Sequence, residues 1–202
     1  MMKQNIYCIF TMIPILCCAF IVNNIYMTLG FIFMGIAGII YHGFIHTYRF
    51  FVLDIISIST ALVIYTVFCK IPEYVKRILY IIEFLVILFL FSCALFNIKY
   101  SNLFLLVIIS LIWLPLVVFS VKYISNTTGW ISIIVLFLYM SSTCVCNNES
   151  FLKFSWPVFH LSIAILAFIV LYEMDFLRPE VYKPIEHILD KIIEVKESLI
   201  SS

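Results

Sequence analysis

Charge is what this chain has least of: only 11% of its 202 residues are charged, 12 basic against 11 acidic, while 65% are hydrophobic. With a mean hydropathy of +1.18, that excludes an ordinary soluble domain, in which about a quarter of residues carry charge. A net charge of +1 with no basic cluster leaves nothing to neutralise a phosphate backbone, so nucleic acid is excluded as a partner. Glycine (5) and proline (6) are scarce, and no glycine-rich loop is present to cradle a nucleotide phosphate. The seven cysteines, at positions 8, 17, 18, 69, 93, 144 and 146, include no CxxC pair and lie mostly inside apolar runs. They read as buried thiols rather than a disulfide framework. Cys17 and Cys18, near the inner end of the first run, are candidates for acylation.

What the chain has in abundance is unbroken apolarity. Runs of roughly 17 to 20 residues, the length that crosses a hydrocarbon core, fall at 6–22, 25–42, 50–69, 78–96, 103–121, 130–145 and 154–172. Continuous rather than alternating apolarity favours helices over a barrel wall. The expected fold is therefore all-α, a polytopic seven-helix transmembrane bundle over residues 1–176, with short polar loops and no room for a soluble insertion. Residues 177–202 form a cytosolic tail in which Ile185, Ile188, Leu189, Ile192 and Ile193 recur at helical spacing opposite Glu186, Asp190 and Glu194. Acidic residues (Glu186, Asp190, Glu194, Glu197) outnumber Lys191 and Lys196 in this amphipathic helix. That argues against an anionic-lipid anchor and makes a protein partner through 185–200, or packing under the bundle, the expectation.

Lys and Arg alone set the orientation. Four (Lys3, Arg49, Lys99, Lys153) fall on one side and eight (Lys70, Lys76, Arg77, Lys122, Arg178, Lys183, Lys191, Lys196) on the other. The tail side is thus expected in the cytosol and the N-terminus outside, in the endoplasmic reticulum, Golgi or plasma membrane. Asn148-Glu149-Ser150 then lies outside as a sequon close to the membrane, and Asn126-Thr127-Thr128 lies inside. Cleavage of the first run as a signal peptide near Ala19 is the alternative, leaving six spans and the inverse orientation.

Against this background, ionisable residues inside spans demand a reason. His42 ends the second span at the outer face, Asp54 lies about one turn into the third, and His160 about two turns into the seventh, so all three share one depth. Two imidazoles and a carboxylate in one layer suit a zinc ion with an open position for water, and such an ion supports hydrolysis by acidifying water and polarising a carbonyl. The competing reading pairs Asp54 with Arg49 in a structural ion pair. Glu83, near the other end of the fourth span, is expected to pair with Lys76 or a neighbouring polar group, and His187 to be solvated.

The segments Ile39-Ile40-Tyr41-His42, Leu53-Asp54 with Ser57, Ser59 and Ala61 after it, and Trp156-Pro157-Val158-Phe159-His160 resemble the CREST superfamily. This group includes alkaline ceramidases, adiponectin receptors, Per1-like proteins and myomaker with its transmembrane-protein-8 relatives; Pro72-Glu73 after the third span looks closest to the myomaker branch. The resemblance implies a seven-helix bundle whose zinc, where present, is held by a His on the second span, an Asp on the third and two His one turn apart on the seventh. His42, Asp54 and His160 match three of these ligands. The chain departs from the pattern at Gly38, where the family has a Ser, and at Trp156, where it has the other His. His46, four residues after His42, would share its face on a continuing helix and is the candidate replacement ligand. Ser57 and Ser155 are candidate replacement oxyanion donors.

Three functions follow from these residues. The first is a zinc-dependent hydrolase of an amide or ester bond in a membrane lipid. The second, favoured by Gly38 and Trp156, is a non-catalytic, myomaker-like membrane-remodelling or interaction protein of the same fold. A signalling receptor, suggested by Phe154-Ser155-Trp156-Pro157, fits poorly: an acidic-Arg-aromatic triplet and an Asn-Pro pair are both missing, and Pro157 reads as a first-turn proline.

Overall fold

A computed structural model describes residues 6–45, 47–68, 71–100, 125–144 and 149–201, with the isolated positions 104, 107, 108 and 118. The described chain is helical, with a single isolated β-bridge, between Val22 and Leu177. Seven α-helices are delimited among the described residues: α1 (Ile6–Ile21), α2 (Ile25–Ile39), α3 (Tyr48–Phe68), α4 (Glu73–Phe96), α5 (Asn126–Cys144), α6 (Glu149–Glu173) and α7 (Pro179–Ser201). A π-helical turn, Ile40–Phe44, continues α2. Three stretches, Ile25–Phe44, Tyr48–Phe68 and Glu73–Phe96, are long and apolar enough to cross a membrane, and Ile9–Ile21 and Pro157–Glu173 are shorter apolar helices. The expected span at 103–121 lies outside the described residues apart from Phe104, Val107, Ile108 and Val118, which are helical.

Local chemistry sets most helix ends. Asn24 caps α2, its Oδ1 accepting from the backbone N–H of Tyr26 (3.0 Å) and Met27 (3.2 Å). Helix α4 starts five residues earlier than hydropathy suggests, because Glu73 sits favourably in the first turn and pairs with Lys76 at 3.4 Å. It ends at Asn97, whose left-handed backbone (φ 53°) lets the Ile98 N–H return to the Cys93 carbonyl. Helix α6 ends in the same manner at Asp175 (φ 58°), with the Phe176 N–H on the Leu171 carbonyl. It also begins at Glu149, so Pro157 lies inside it rather than in a first turn. Pro179 opens α7, where its missing N–H is harmless.

Helix α1 packs against α2 and α6, α2 against α3, α3 against α4, and α5 against α6. Among the described helices, neighbours therefore follow in the order α4, α3, α2, α1, α6, α5. One core runs through it, including Met12 and Ile15 of α1, Met34 of α2, Val52 and Ile55 of α3, Leu79 and Leu90 of α4, Val135 of α5 and Phe159 of α6. Large apolar side chains also cover the outside, among them Phe20, Leu29, Phe84, Phe91, Trp130 and Phe137. Such a surface is costly in water and natural in a bilayer. Hydroxyls within the helices satisfy themselves on their own backbone: Ser59 donates to the Ile55 carbonyl, Thr60 to Ile56 and Ser132 to Thr128.

At the end where α1 meets α2 and α6 meets α7, the chain is stitched by backbone bonds. Asn23 N–H donates to the Phe176 carbonyl (2.7 Å), Arg178 N–H to Ile21 (2.9 Å), and the Arg178 side chain to Val22 (3.2 Å). The segment joining α6 to α7 is thus part of the bundle's end.

Candidate functional site

The π turn builds the site. Its wider ring, closed by the Ile45 N–H on the Ile40 carbonyl at 2.8 Å, lets three consecutive residues, Tyr41, His42 and Gly43, all be buried. A straight α-helix on the bundle surface would turn at least one of them outward. Gly43 is needed there, because a Cβ would stand 2.6 Å from Ile9 Cδ1 of α1. Asp54 enters from the second turn of α3 and His160 from the fourth turn of α6. All three side chains are almost fully buried, His42 at 4%, Asp54 at 6% and His160 at 3% exposure.

They meet. His42 Nε2 lies 3.6 Å from Asp54 Oδ2, and the rings of His42 and His160 stand edge to face with centroids 4.7 Å apart. Arg49, the competing partner for Asp54, is exposed and makes no ion pair among the described residues. Tyr41 packs edge-on against His42 and, through its other contacts, on Phe51, so the ring that carries His42 is held by aromatic neighbours.

Helix α1 contributes a residue that the motif reading missed. Thr11 Oγ1 stands 3.5 Å from His160 Nδ1, a polar contact reaching from the first helix to the sixth. The signal was present: Thr11 is the lone aliphatic hydroxyl in the apolar run 6–22. Its neighbour Met12 fills the space where the resembled family has a serine side chain, since a Cβ on Gly38 would meet Met12 Cε at 2.2 Å and lie 3.3 Å from Asp54 Oδ1. Ser57, an expected donor to an oxyanion, instead donates its one proton to the Asp54 carbonyl at 2.6 Å. His46 lies outside the described residues, as do the side chains of Ser155 and Trp156.

The donor types fit a catalytic zinc ion. Two ligands at tetrahedral zinc are separated by about 3.3 Å, and the 3.6 Å between His42 and Asp54 is close to that edge while exceeding a normal hydrogen bond. As they stand, no three His, Cys, Asp or Glu side chains among the described residues form a closed metal-holding group. One helical turn from the cluster begins an apolar cleft of about 130 Å³ that runs between the helices to Met27 and Leu171. Its lining includes Met34 of α2, Ile58 and Leu62 of α3, Ser132 of α5 and Ile163 and Leu166 of α6. Ile58 is one turn past Asp54 and Ile163 one turn past His160, so the apolar cleft begins where the polar layer ends.

Two other carboxylates, the buried Glu83 and the half-buried Glu173, sit toward the opposite end. Glu83 accepts at 2.6 Å from Thr66 Oγ1, a neighbouring polar group and so one of its two expected partners, while Lys76, the other, pairs with Glu73 and donates to the Val67 carbonyl at 3.2 Å. Glu173 accepts from Ser125 Oγ at 2.7 Å and from Thr128 Oγ1. His187 is exposed on α7, as expected. Compared with known proteins, the chain matches no family model, no curated protein and no solved structure.

Proposed function

We propose that the chain is a seven-span membrane protein, N-terminus outside and tail in the cytosol, that hydrolyses an amide or ester bond of a membrane lipid in the manner of the CREST superfamily. The supporting observation is the meeting of His42, Asp54 and His160 one helical turn from Ile58 and Ile163, which line an apolar cleft between the helices. Zinc held by these three residues would supply an acidified water and a polarised carbonyl. The chain's own residues do the rest. The cleft takes the acyl chain and thereby sets the scissile bond at the polar layer. Asp54 fixes the imidazole of His42, the Thr11 hydroxyl fixes the ring of His160 through Nδ1, and tight burial excludes bulk water from the layer. The test is hydrolysis of short-chain fluorescent ceramides and diacylglycerols by protein in mild detergent. Cleavage that disappears in Asp54→Asn and His160→Ala, at unchanged expression, is expected; no cleavage of any lipid by the wild-type protein would overturn the reading.

One observation favours a second reading, a non-catalytic membrane-remodelling or interaction protein of the same fold. Met12 fills the space beside Gly38, so no hydroxyl stands at that position over Asp54. Under this reading the protein carries no zinc, and His42→Ala loses some stability and no function.

A further inference from the structure

Among the described residues, the tail helix carries an apolar face beyond the end of the bundle. Val181, Tyr182 and Ile185 of α7 pack on the bundle's end, against a cluster that includes Val22, Met27, Leu171 and Leu177. Tyr182 stacks on Tyr172 with ring centroids 5.2 Å apart. The same stripe then continues past the bundle as Ile188, Ile192, Val195 and Leu199, which are 57%, 58%, 58% and 71% exposed. At 3.6 residues per turn these residues and Ile185 share one line along the helix.

The charges show what this stripe faces. Lys191 borders it on one side; Lys196 lies on the other, where Leu189 and Ile193 widen the apolar face beyond it, and Glu186, Asp190, Glu194 and Glu197 lie on the far face. A second copy of the chain fits badly. Copies inserted the same way round present parallel tails, and a parallel seam on this stripe sets Lys191 of one helix against Lys196 of its neighbour. A bilayer fits well. Lysines at the rim extend their stems over the apolar face and their ammonium groups to lipid phosphates, while the carboxylates face water. Continuity points the same way, because the stripe leaves the bundle at the end where the outward surfaces of α1 and α2, with Phe20, Ile25 and Tyr26 exposed, already demand lipid.

We propose that α7 from Ile188 onward lies along the membrane surface, with its apolar stripe in the boundary between headgroups and acyl chains of zwitterionic lipid, as a lipid-binding strut beside the bundle. The proposal rests on the membrane reading of the bundle and not on its chemistry. With the far face acidic, the strut is driven by apolar burial and gains nothing from anionic lipid.

The test places a spin label, through a clickable noncanonical residue, singly at position 192 or at position 190 of the full chain in phosphatidylcholine nanodiscs. The label at 192 is expected to be several-fold more accessible to oxygen than to a water-soluble nickel chelate, and the label at 190 the reverse. Equal nickel access at both positions would overturn the proposal in favour of a helix free in water. Shielding of position 192 from both reagents would overturn it in favour of a protein partner. Failure of the protein to enter discs at all would overturn the membrane reading of the bundle, and this proposal with it.

Discussion

The two ends of the bundle both hold carboxylates among their helices, and they treat them differently. At one end Glu83 is met by the hydroxyl of Thr66, and Glu173 by those of Ser125 and Thr128. At the other end Asp54 is met by His42, with the ring of His160 beside it. A hydroxyl satisfies a carboxylate and ties two helices together, and nothing more is asked of either. An imidazole adds a group that can bind a proton or a metal. The first end therefore holds the bundle closed, whereas the second has the equipment for chemistry, and it adjoins the cleft.

The sharpest break between the two ends is catalytic. Asp54→Asn is expected to lower lipid cleavage by about 10²-fold or more, while Glu83→Gln, which keeps an acceptor for Thr66, leaves the rate within a factor of about two. A rate assay on both variants, normalised to folded protein, checks the contrast; equal losses would erase it.

The next effects are on stability. Gly43→Val forces a side chain into the 2.6 Å gap to Ile9 and is expected to destabilise by about 1–3 kcal/mol, read as a fall in the thermal midpoint in detergent. Thr66→Val leaves the buried Glu83 without its hydroxyl donor and should cost about 1–2 kcal/mol with no change in cleavage rate. Ser125→Ala removes both a donor to Glu173 and the side-chain acceptor for the Thr128 N–H, costing about 1 kcal/mol. The smallest effect is expected at Thr11→Val. It reaches the reaction only through His160, so cleavage should fall less than about tenfold, with a displaced pH profile that a purely structural contact would not produce.

These contrasts were partly legible in the residues alone. The helices were, because a bilayer-length apolar run leaves the backbone one way to satisfy itself: α1 ends at Ile21 where the run 6–22 implies, and α2 begins at Ile25 as read. Helix starts were less so, since Glu73 and Glu149 are polar and hydropathy discards them, although a helix can begin in polar solvent and only then enter an apolar layer. The depth argument for His42, Asp54 and His160 worked because alternating helix direction converts sequence position into height. Their rotation about each helix was not legible. It depends on the π turn at 40–44, which no local pattern announces, and on the close approach of α1 through Gly38 and Gly43. Thr11 went unnoticed for the same reason: which helix lies beside α6 is a tertiary fact. Of the two partners open to Glu83, a neighbouring polar group, Thr66, takes it, because Lys76 is drawn to the exposed Glu73 and the α3 carboxyl end, where its ammonium remains near water.

The central claim is that side chains from α2, α3 and α6 form one ion-holding layer. Metal analysis of the protein purified in mild detergent tests it most directly, wild type beside Asp54→Asn. About one equivalent of zinc in the wild type, absent from a variant that retains its helical signal and thermal transition, is the expected result. Absence of metal from both proteins, after purification without chelators and with zinc supplied, would contradict it.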